Sequence, residues 1–186
     1  MIYVTSDLHF GHNREFIFKP RGFTSIEEHD AAIIERWNSI VKPEDEVYIL
    51  GDLMLNNNAH GIECLKQLNG TKSFIRGNHD TDTRIDLYMD EQGANIAFCG
   101  DAFTMKYKGY HLYFSHYPTL TGNLEKESLK QMTVNLYGHT HQKTNFYEDR
   151  PYMYHVGVDS HECYPVALDQ VIADMEAKVN ECKEML

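Results

Sequence analysis

The chain has 186 residues, of which 42% are hydrophobic and 24% are charged, and its formal net charge at pH 7 is −11. These proportions are ordinary for a soluble globular protein and exclude an intrinsically disordered one, and the length suits a single domain over residues 1–186. The negative charge disfavours a long nucleic-acid duplex as a partner, because phosphate backbones are bound by clustered lysines and arginines.

The cysteines indicate a reducing compartment. They are scattered without C-x-x-C spacing, which is typical of free thiols in a cytoplasmic protein rather than of disulfides or a zinc site. No apolar run approaches the ~20 residues that cross a bilayer, so we expect no membrane contact. Residues 1–6 are expected to form a strand, which leaves no room for a signal peptide. We therefore predict a cytoplasmic protein, either a monomer or a homodimer.

The first half of the chain predicts alternating strands and helices. Apolar residues at three- and four-residue spacing indicate a helix over residues 25–41, with Thr24 or Ser25 as N-cap, and a second helix over 62–68. Short apolar runs predict strands at residues 2–5, 47–50 and 73–76. This alternation is typical of parallel strands joined by crossover helices.

The second half of the chain is richer in β-structure. Residues 103–107 and 110–115 flank Lys108-Gly109 and predict a β-hairpin, and further strands are expected at 134–137 and 152–158. From Leu168 to Leu186 the apolar residues form the stripe of an amphipathic helix. We expect this helix to pack on a sheet, with a dimer seam as the alternative.

Polar residues typical of metal sites recur at the ends of the predicted strands. Ligands bind at the carboxyl ends of strands in open α/β sheets, and side chains two residues apart on an extended chain share one side. Mixed carboxylate, imidazole and carboxamide ligands suit Mn, Fe, Zn or Ni, and glycines beside them allow close backbone approach. The elements are Asp7-Leu8-His9, Gly51-Asp52, Gly77-Asn78-His79-Asp80, Ser115-His116 and Gly138-His139-Thr140-His141.

This ordered series resembles the calcineurin-like metallophosphoesterase superfamily. The opening sequence SDLHFGH, residues 6–12, is similar to small single-domain members from bacteria and phages. The motifs span residues 7–141, and every ligand position of the family is present. The resemblance implies an α/β (α+β) four-layer sandwich, in which two mixed β-sheets are flanked by helices and a dinuclear metal site lies at the sheet edge.

The resemblance also implies a role for each motif residue. Asp52 would bridge two divalent ions, with manganese as the first choice and Fe, Zn or Ni as alternatives. His79 would lie near the scissile phosphate, where it acts as a general acid or stabilises the transition state, and Asp80 is expected to orient an imidazole. The first ion would take Asp7, His9 and His141, and the second would take Asn78, His116 and His139.

Two such ions, about 3.5–4 Å apart, lower the pKa of a bridging water, and the resulting hydroxide would attack phosphorus in line. We therefore expect a hydrolase acting on a phosphodiester or phosphomonoester of a small molecule. One alternative is a nuclease acting on short or single-stranded nucleic acid. The other is a non-catalytic metal-binding scaffold on the same fold.

The remaining polar residues leave alternatives open. His12, Asn13 and Arg14 either contact substrate or are structural, and Arg76 either binds substrate oxygens or forms ion pairs at a strand edge. The acidic run over residues 27–30 is expected to favour a helix N-terminus rather than bind metal. The tyrosine-rich second half is attributed to strand packing rather than base stacking. Structural roles are expected for His29, His60, His111, His155 and His161.

Overall fold

The strands form two sheets in the computed structural model, which describes residues 1–90 and 94–184. Their bounds are β1 Ile2–Thr5, β2 Glu46–Ile49, β3 Thr71–Phe74, β4 Ile96–Phe98, β5 Ala102–Tyr107, β6 Tyr110–Ser115, β7 Thr133–Tyr137, β8 Met153–His155 and β9 Val166–Ala167. The first sheet has the order β4-β3-β2-β1-β9, parallel except for β9. The second has the order β5-β6-β7-β8, in which only β5 is antiparallel to its neighbour.

Five α-helices accompany the sheets in the described residues. They are α1 Glu15–Phe18, α2 Ile26–Ile40, α3 Asn58–Lys66, α4 Asp82–Asp90 and α5 Leu168–Glu184, with short 3-10 helices at Lys19–Arg21 and Tyr147–Asp149. Helix α2 begins at Ser25, whose side chain accepts a hydrogen bond from the backbone N–H of Glu28. The expected helix and its N-cap are thereby confirmed. No helix in this part of the chain is long and apolar enough to span a membrane.

Most predicted elements are confirmed within two residues, including the β5–β6 hairpin and the parallel order of β1, β2 and β3. Helix α3 begins four residues earlier than expected, because the Asn57 side chain accepts a hydrogen bond from the N–H of His60 and caps it. The strand expected over 152–158 ends at His155, because the chain then crosses to the first sheet, where Gly157 pairs with Ser6. Leu186 lies outside the described residues.

Each face of the first sheet packs into a different apolar core. Because strand side chains alternate, Ile49 points to one face while Leu50 points to the other. The first core joins the sheet to α2, α3 and α4 through Val47, Ile49, Phe74, Ile33, Trp37, Leu65 and Tyr88. The second joins it to the second sheet and to α5 through Val4, Leu50, Ile75, Leu112, Leu136, Val171 and Met175. The predicted α/β sandwich of two mixed sheets flanked by helices is confirmed.

Candidate metal centre

The predicted polar motifs meet at one edge of the sandwich, where strands of both sheets end. The register aligns Thr5 with Ile49 and Ile49 with Phe74, so the loops after β1, β2 and β3 leave the first sheet side by side. The loops after β6 and β7 leave the second sheet at its corresponding edge. The pairing of Ser6, after β1, with Gly157, after β8, joins this edge to the first sheet. The residues that these loops carry are Asp7, His9, Asp52, Asn78, His79, Asp80, His116, His139 and His141.

Asp7, His9 and His141 form the first group of candidate ligands. Their ligand atoms lie within 4.8 Å of one another. The Nε2 atoms of the two histidines are 3.2 Å apart, and each is 3.8 Å from Oδ1 of Asp7. Asp7 and His9 are buried, whereas the His141 side chain is 34% exposed, so the group is open to solvent on one side.

Asn78, His116 and His139 form the second group. Oδ1 of Asn78 lies 2.9 Å from Nε2 of His116 and 2.8 Å from Nδ1 of His139. His116 is buried, whereas Asn78 is exposed, so this group also faces solvent.

Asp52 lies between the two groups. Its Oδ2 is 3.6 Å from Nε2 of His9 in the first group and 3.6 Å from Nε2 of His116 in the second. Its other oxygen, Oδ1, accepts a hydrogen bond from the backbone N–H of His79 at 2.9 Å. One carboxylate oxygen is therefore placed where it can be shared between two cations.

The imidazoles are oriented by the atoms behind them. Nδ1 of His116 is 2.7 Å from the carbonyl oxygen of Leu50, which can only accept, so Nδ1 carries the proton. Nδ1 of His141 is likewise 2.9 Å from Oδ2 of Asp159. In the neutral tautomer, Nε2 of each ring therefore presents a lone pair to the other ligands.

This donor set fits divalent cations. Oδ1 of Asp7 is buried with no hydrogen-bond partner. Nε2 of His116 and Oδ1 of Asn78, both acceptors when the imidazole is neutral, face each other at 2.9 Å. Burial and the neighbouring Asp7 raise the pKa of Asp52 to about 6, because they disfavour its negative charge. Burial lowers the pKa of His9 well below its usual value, which keeps this imidazole neutral for ligation.

The backbone at these ligands differs from the sequence expectation. We expected D-x-H and H-x-H to chelate from an extended chain, but Asp7, His9, His139 and His141 have φ of 61°, 53°, 67° and 49°, in the left-handed region. Asp52 shares this conformation, with φ of 57°. Asp7 and His9 thus converge on the first group from a turn, whereas His139 and His141 reach different groups. This left-handed conformation costs of order 1–3 kcal/mol for each non-glycine residue and is concentrated at functional sites.

Glycine permits the close approach of these turns. A Cβ at Gly77 would lie 2.2 Å from Oδ1 of Asp52, and one at Gly138 would lie 2.5 Å from Oδ2 of Asp7. Both contacts are closer than a methyl group allows, so these glycines leave room for the carboxylates, as their positions beside the motifs predict.

His79 lies near Asp52, on the side of the site that faces solvent. Its side chain is 36% exposed, and its Nε2 is 3.9 Å from Oδ2 of Asp52. Arg84 Nη1 donates a hydrogen bond to the His79 carbonyl, which fixes the backbone at this residue. His79 therefore reaches the metal groups without belonging to either.

Asp80 differs from its expected role. Its buried carboxylate accepts hydrogen bonds from the backbone N–H groups of Asp52 (2.7 Å) and Gly77 (2.9 Å) and from the Tyr88 hydroxyl (3.0 Å). None of its hydrogen bonds in the described residues joins it to an imidazole, so the expectation that it orients one is wrong. Buried backbone N–H groups need hydrogen-bond partners, and Asp80 provides one for Asp52, after β2, and for Gly77, after β3. Asp80 therefore positions the loops that carry Asp52 and Asn78.

Arg21 and Asp159 also contact the centre, although no sequence motif predicts them. Arg21 donates two hydrogen bonds to Asp159, at 2.8 and 3.0 Å, and one to the carbonyl of Asp7 at 3.0 Å. Burial alone would lower the pKa of His141, but its hydrogen bond to Asp159 and the nearby Asp7 raise it. A more basic imidazole is a better ligand. Neither residue belongs to a sequence motif, and only the fold brings them close to His141.

The four candidate substrate contacts lie at different depths. His12 is buried, and its ring centroid is 5.3 Å from that of His9 and 6.0 Å from that of His79. Asn13 and Arg14 follow it as exposed residues. Arg76 forms ion pairs with Asp82 (2.7 Å) and Asp101 (2.9 Å), which is the strand-edge alternative. Substrate contact by any of these four residues stays a prediction.

Most of the chain is similar to known proteins. Residues 1–162 match the family described as the calcineurin-like phosphoesterase superfamily domain. The chain is 30% identical to an uncharacterized protein of Methanocaldococcus jannaschii, over 94% of this chain and 91% of that protein. It is 26% identical to the gene 66 protein of Mycobacterium phage D29, over 94% and 97%. A crystal structure of a protein of unknown function from Aquifex aeolicus aligns with a TM-score of 0.69 at 22% identity, over 93% of this chain and 98% of that one.

Proposed function

The chain belongs to the calcineurin-like phosphoesterase superfamily and is a metal-dependent phosphoester hydrolase, and from this premise we infer that it uses two divalent ions to hydrolyse a phosphodiester or phosphomonoester of a small molecule. Asp52 would be shared between the ions. Asp7, His9 and His141 would complete the ligands of one ion, and Asn78, His116 and His139 those of the other.

The position of Asp52 carries this proposal. A single oxygen of its carboxylate lies 3.6 Å from Nε2 of His9 in the first group and 3.6 Å from Nε2 of His116 in the second. A site for one ion would need only one of these groups. Two complete groups about a common carboxylate support a dinuclear centre.

The chain's own residues supply the remaining chemistry. When bound, two divalent ions lower the pKa of water and neutralise charge on the phosphoryl oxygens. His79, at the solvent side, can hold a proton at Nε2 and deliver it to the leaving oxygen. Asp159 and the Leu50 carbonyl hold His141 and His116 with Nε2 facing the other candidate ligands of each group.

The surroundings of the centre favour a small substrate and admit a diester. A cleft of 540 Å³ adjoins the second group and is lined by Arg76, Asn78, His116 and Tyr117, among others. This space can take the second ester group of a diester. The net charge of −11 again disfavours an extended polyanion. Manganese is our first choice of ion, since the ligands are oxygen and nitrogen only.

Two exposed aromatic rings favour a second candidate, hydrolysis of short single-stranded nucleic acid or nucleotide diesters. Phe16 is 69% exposed, and its ring centroid is 5.6 Å from that of His12, beside the first group. Tyr117 is 51% exposed, and its ring centroid is 4.6 Å from that of His139, in the second group. Aromatic rings beside each group can stack bases of such a substrate, because stacking tolerates any base.

Two measurements test the proposal. Metal analysis of the purified protein should find at least two transition-metal ions per chain, and removing them should abolish turnover. Turnover of bis-p-nitrophenyl phosphate against p-nitrophenyl phosphate then assigns diester or monoester preference, and a dinucleotide panel tests the second candidate. Protein that turns over neither chromogenic ester when loaded with manganese, iron, zinc or nickel would support the non-catalytic scaffold instead.

A further inference from the structure

A second cluster of metal-ligand side chains lies between α2 and α3. Oδ2 of Asp30 is 2.8 Å from Nε2 of His60, and that nitrogen is 3.4 Å from Sγ of Cys64. The three ligand atoms all lie within 4.8 Å of one another. None of the three residues belongs to the motifs of the dinuclear centre.

The helices explain why these atoms converge. His60 and Cys64 are four residues apart on α3, which places them on one face, one turn from each other. Asp30 projects from the first turns of α2 towards the same face. Spacing along the sequence could not reveal this cluster, because its third member comes from another helix.

The donor atoms and their spacing suit zinc. Sulfur, imidazole nitrogen and carboxylate oxygen are the ligand types of Zn²⁺, at about 2.0–2.3 Å from the ion, so ligand atoms in a tetrahedron lie about 3.3–3.8 Å apart. The observed separation of 3.4 Å between Nε2 and Sγ is in this range, and the separation of 2.8 Å between Oδ2 and Nε2 is about half an ångström short of it.

The surroundings of the cluster match a site that a cation can reach. Asp30 and Cys64 are buried, whereas the His60 side chain is 39% exposed. A cleft of 340 Å³ opens beside all three residues and is also lined by Glu27, which adds a carboxylate to its wall. Water or Glu27 can thus supply the fourth ligand.

We propose that Asp30, His60 and Cys64 bind a third divalent ion of the zinc class, separate from the dinuclear centre. All three residues are then ligands, against the expectations of free cysteines, of an acidic run over residues 27–30 that binds no metal, and of a structural role for His60. Binding replaces the thiol proton, which passes to solvent, with the metal–sulfur bond. Without an ion the thiol stays neutral, because burial and the nearby Asp30 raise the pKa of Cys64 to about 12.

This ion would brace the first metal-binding loop. The same Oδ2 of Asp30 accepts a hydrogen bond from the backbone N–H of Gly11 at 2.9 Å, and Gly11 lies between His9 and His12. Oδ1 of Asp30 lies 2.7 Å from Nδ1 of His29. A cation on Asp30 therefore fixes a residue that already anchors this loop, and its role is structural.

Cobalt provides a direct test, because a Co²⁺–thiolate bond gives a near-ultraviolet charge-transfer absorption and the dinuclear centre contains no cysteine. Full-length protein freed of metal is titrated with Co²⁺. We expect this absorption to saturate at one thiolate-bound ion per chain. It should disappear in Cys64→Ser and persist in the matched control Cys99→Ser, whose cysteine is exposed.

Two further variants keep the test decisive. His60→Gln, at a half-exposed position, should weaken the absorbing site about tenfold or more, even if Cys64→Ser fails to fold. Asp52→Asn should leave the absorption unchanged, so failure of the dinuclear proposal is distinguishable from failure of this one. Wild-type protein without the absorption, or an absorption that survives Cys64→Ser, would overturn the third site.

Discussion

His79 and Asp52 are linked through the backbone of one and the carboxylate of the other. The N–H of His79 donates to Oδ1 of Asp52 at 2.9 Å, while the His79 imidazole stands 3.9 Å from Oδ2. The backbone of His79 therefore positions the Asp52 carboxylate, while its side chain makes no hydrogen bond to that carboxylate. The contributions of backbone and side chain can therefore be separated by mutation.

His79→Ala should lower turnover while sparing metal binding. Alanine keeps the backbone N–H that bonds Asp52, but it removes the group that can donate a proton to the leaving oxygen. We expect kcat to fall by about 10²–10⁴, with metal content unchanged by elemental analysis. The matched control is His111→Ala, at an exposed histidine of β6, which should change neither quantity. Loss of metal from His79→Ala would mean that His79 is a ligand.

Asp52→Asn should lower metal occupancy and turnover together. The amide keeps the shape of the side chain but removes the negative charge that two cations would share, so both ions lose their common ligand. Metal content and kcat measured on the same preparation check this expectation, with the exposed Asp86→Asn on α4 as control. Full occupancy by two ions in Asp52→Asn would contradict the bridging role.

The sequence predicted the participants of the site better than its geometry. Short apolar runs located β1, β2 and β3, and helical spacing of apolar residues located α2. The motifs after the strands predicted which side chains meet at the sheet edge, and their binding of metal stays a prediction. The left-handed turns at Asp7 and His139 could not be predicted, because a D-x-H or H-x-H spacing is compatible with both an extended chain and a turn.

Residues that support the ligands were hidden for a different reason. Arg21 and Asp159 are separated by 138 positions in the sequence, and only the Ser6–Gly157 crossing between the sheets brings Asp159 beside His141. Short or polar elements were missed as well. Strand β9 has two residues, and α4 buries only Ile85 and Tyr88, too few for a periodic signal.

Asp159→Asn should weaken the first ion's binding more than the second's. Asp159 accepts the Nδ1 proton of His141 and raises the pKa of that imidazole. An amide accepts this proton less strongly, so we expect about 10–100-fold weaker affinity for one ion. Competition with a chelator resolves the two affinities. Equal weakening of both ions would instead point to a general disturbance of the fold.

Asp80→Asn should destabilise the protein and reduce metal affinity without moving the pH profile of turnover. Its carboxylate accepts charge-assisted hydrogen bonds from the backbone N–H groups of Asp52 and Gly77 and from Tyr88, each worth about 1.5–3 kcal/mol. Tyr88→Phe removes only one of these bonds and should cost about 1.5–3 kcal/mol, less than Asp80→Asn. Thermal denaturation ranks the two variants. A shifted pH profile in Asp80→Asn would contradict a purely structural role for Asp80.

Stability should rise with pH in the alkaline range because of Lys72. This buried lysine donates hydrogen bonds to the carbonyls of Leu68 and Gly70, and burial lowers its pKa from 10.5 to about 8. Between about pH 8 and pH 10.5 the unfolded chain keeps the proton that the folded protein has lost, so the free energy of unfolding increases with pH.

The shift in the pKa of Lys72 corresponds to a gain on the order of 3 kcal/mol across that interval. Chemical denaturation at about pH 7.5 and about pH 10 measures it. Lys72→Met has no proton to lose, so the stability of the wild type relative to this variant should increase between the two conditions. The exposed Lys106→Met is the matched control and should follow the wild type. A constant difference between wild type and Lys72→Met would show that Lys72 stays charged in the folded protein throughout the interval.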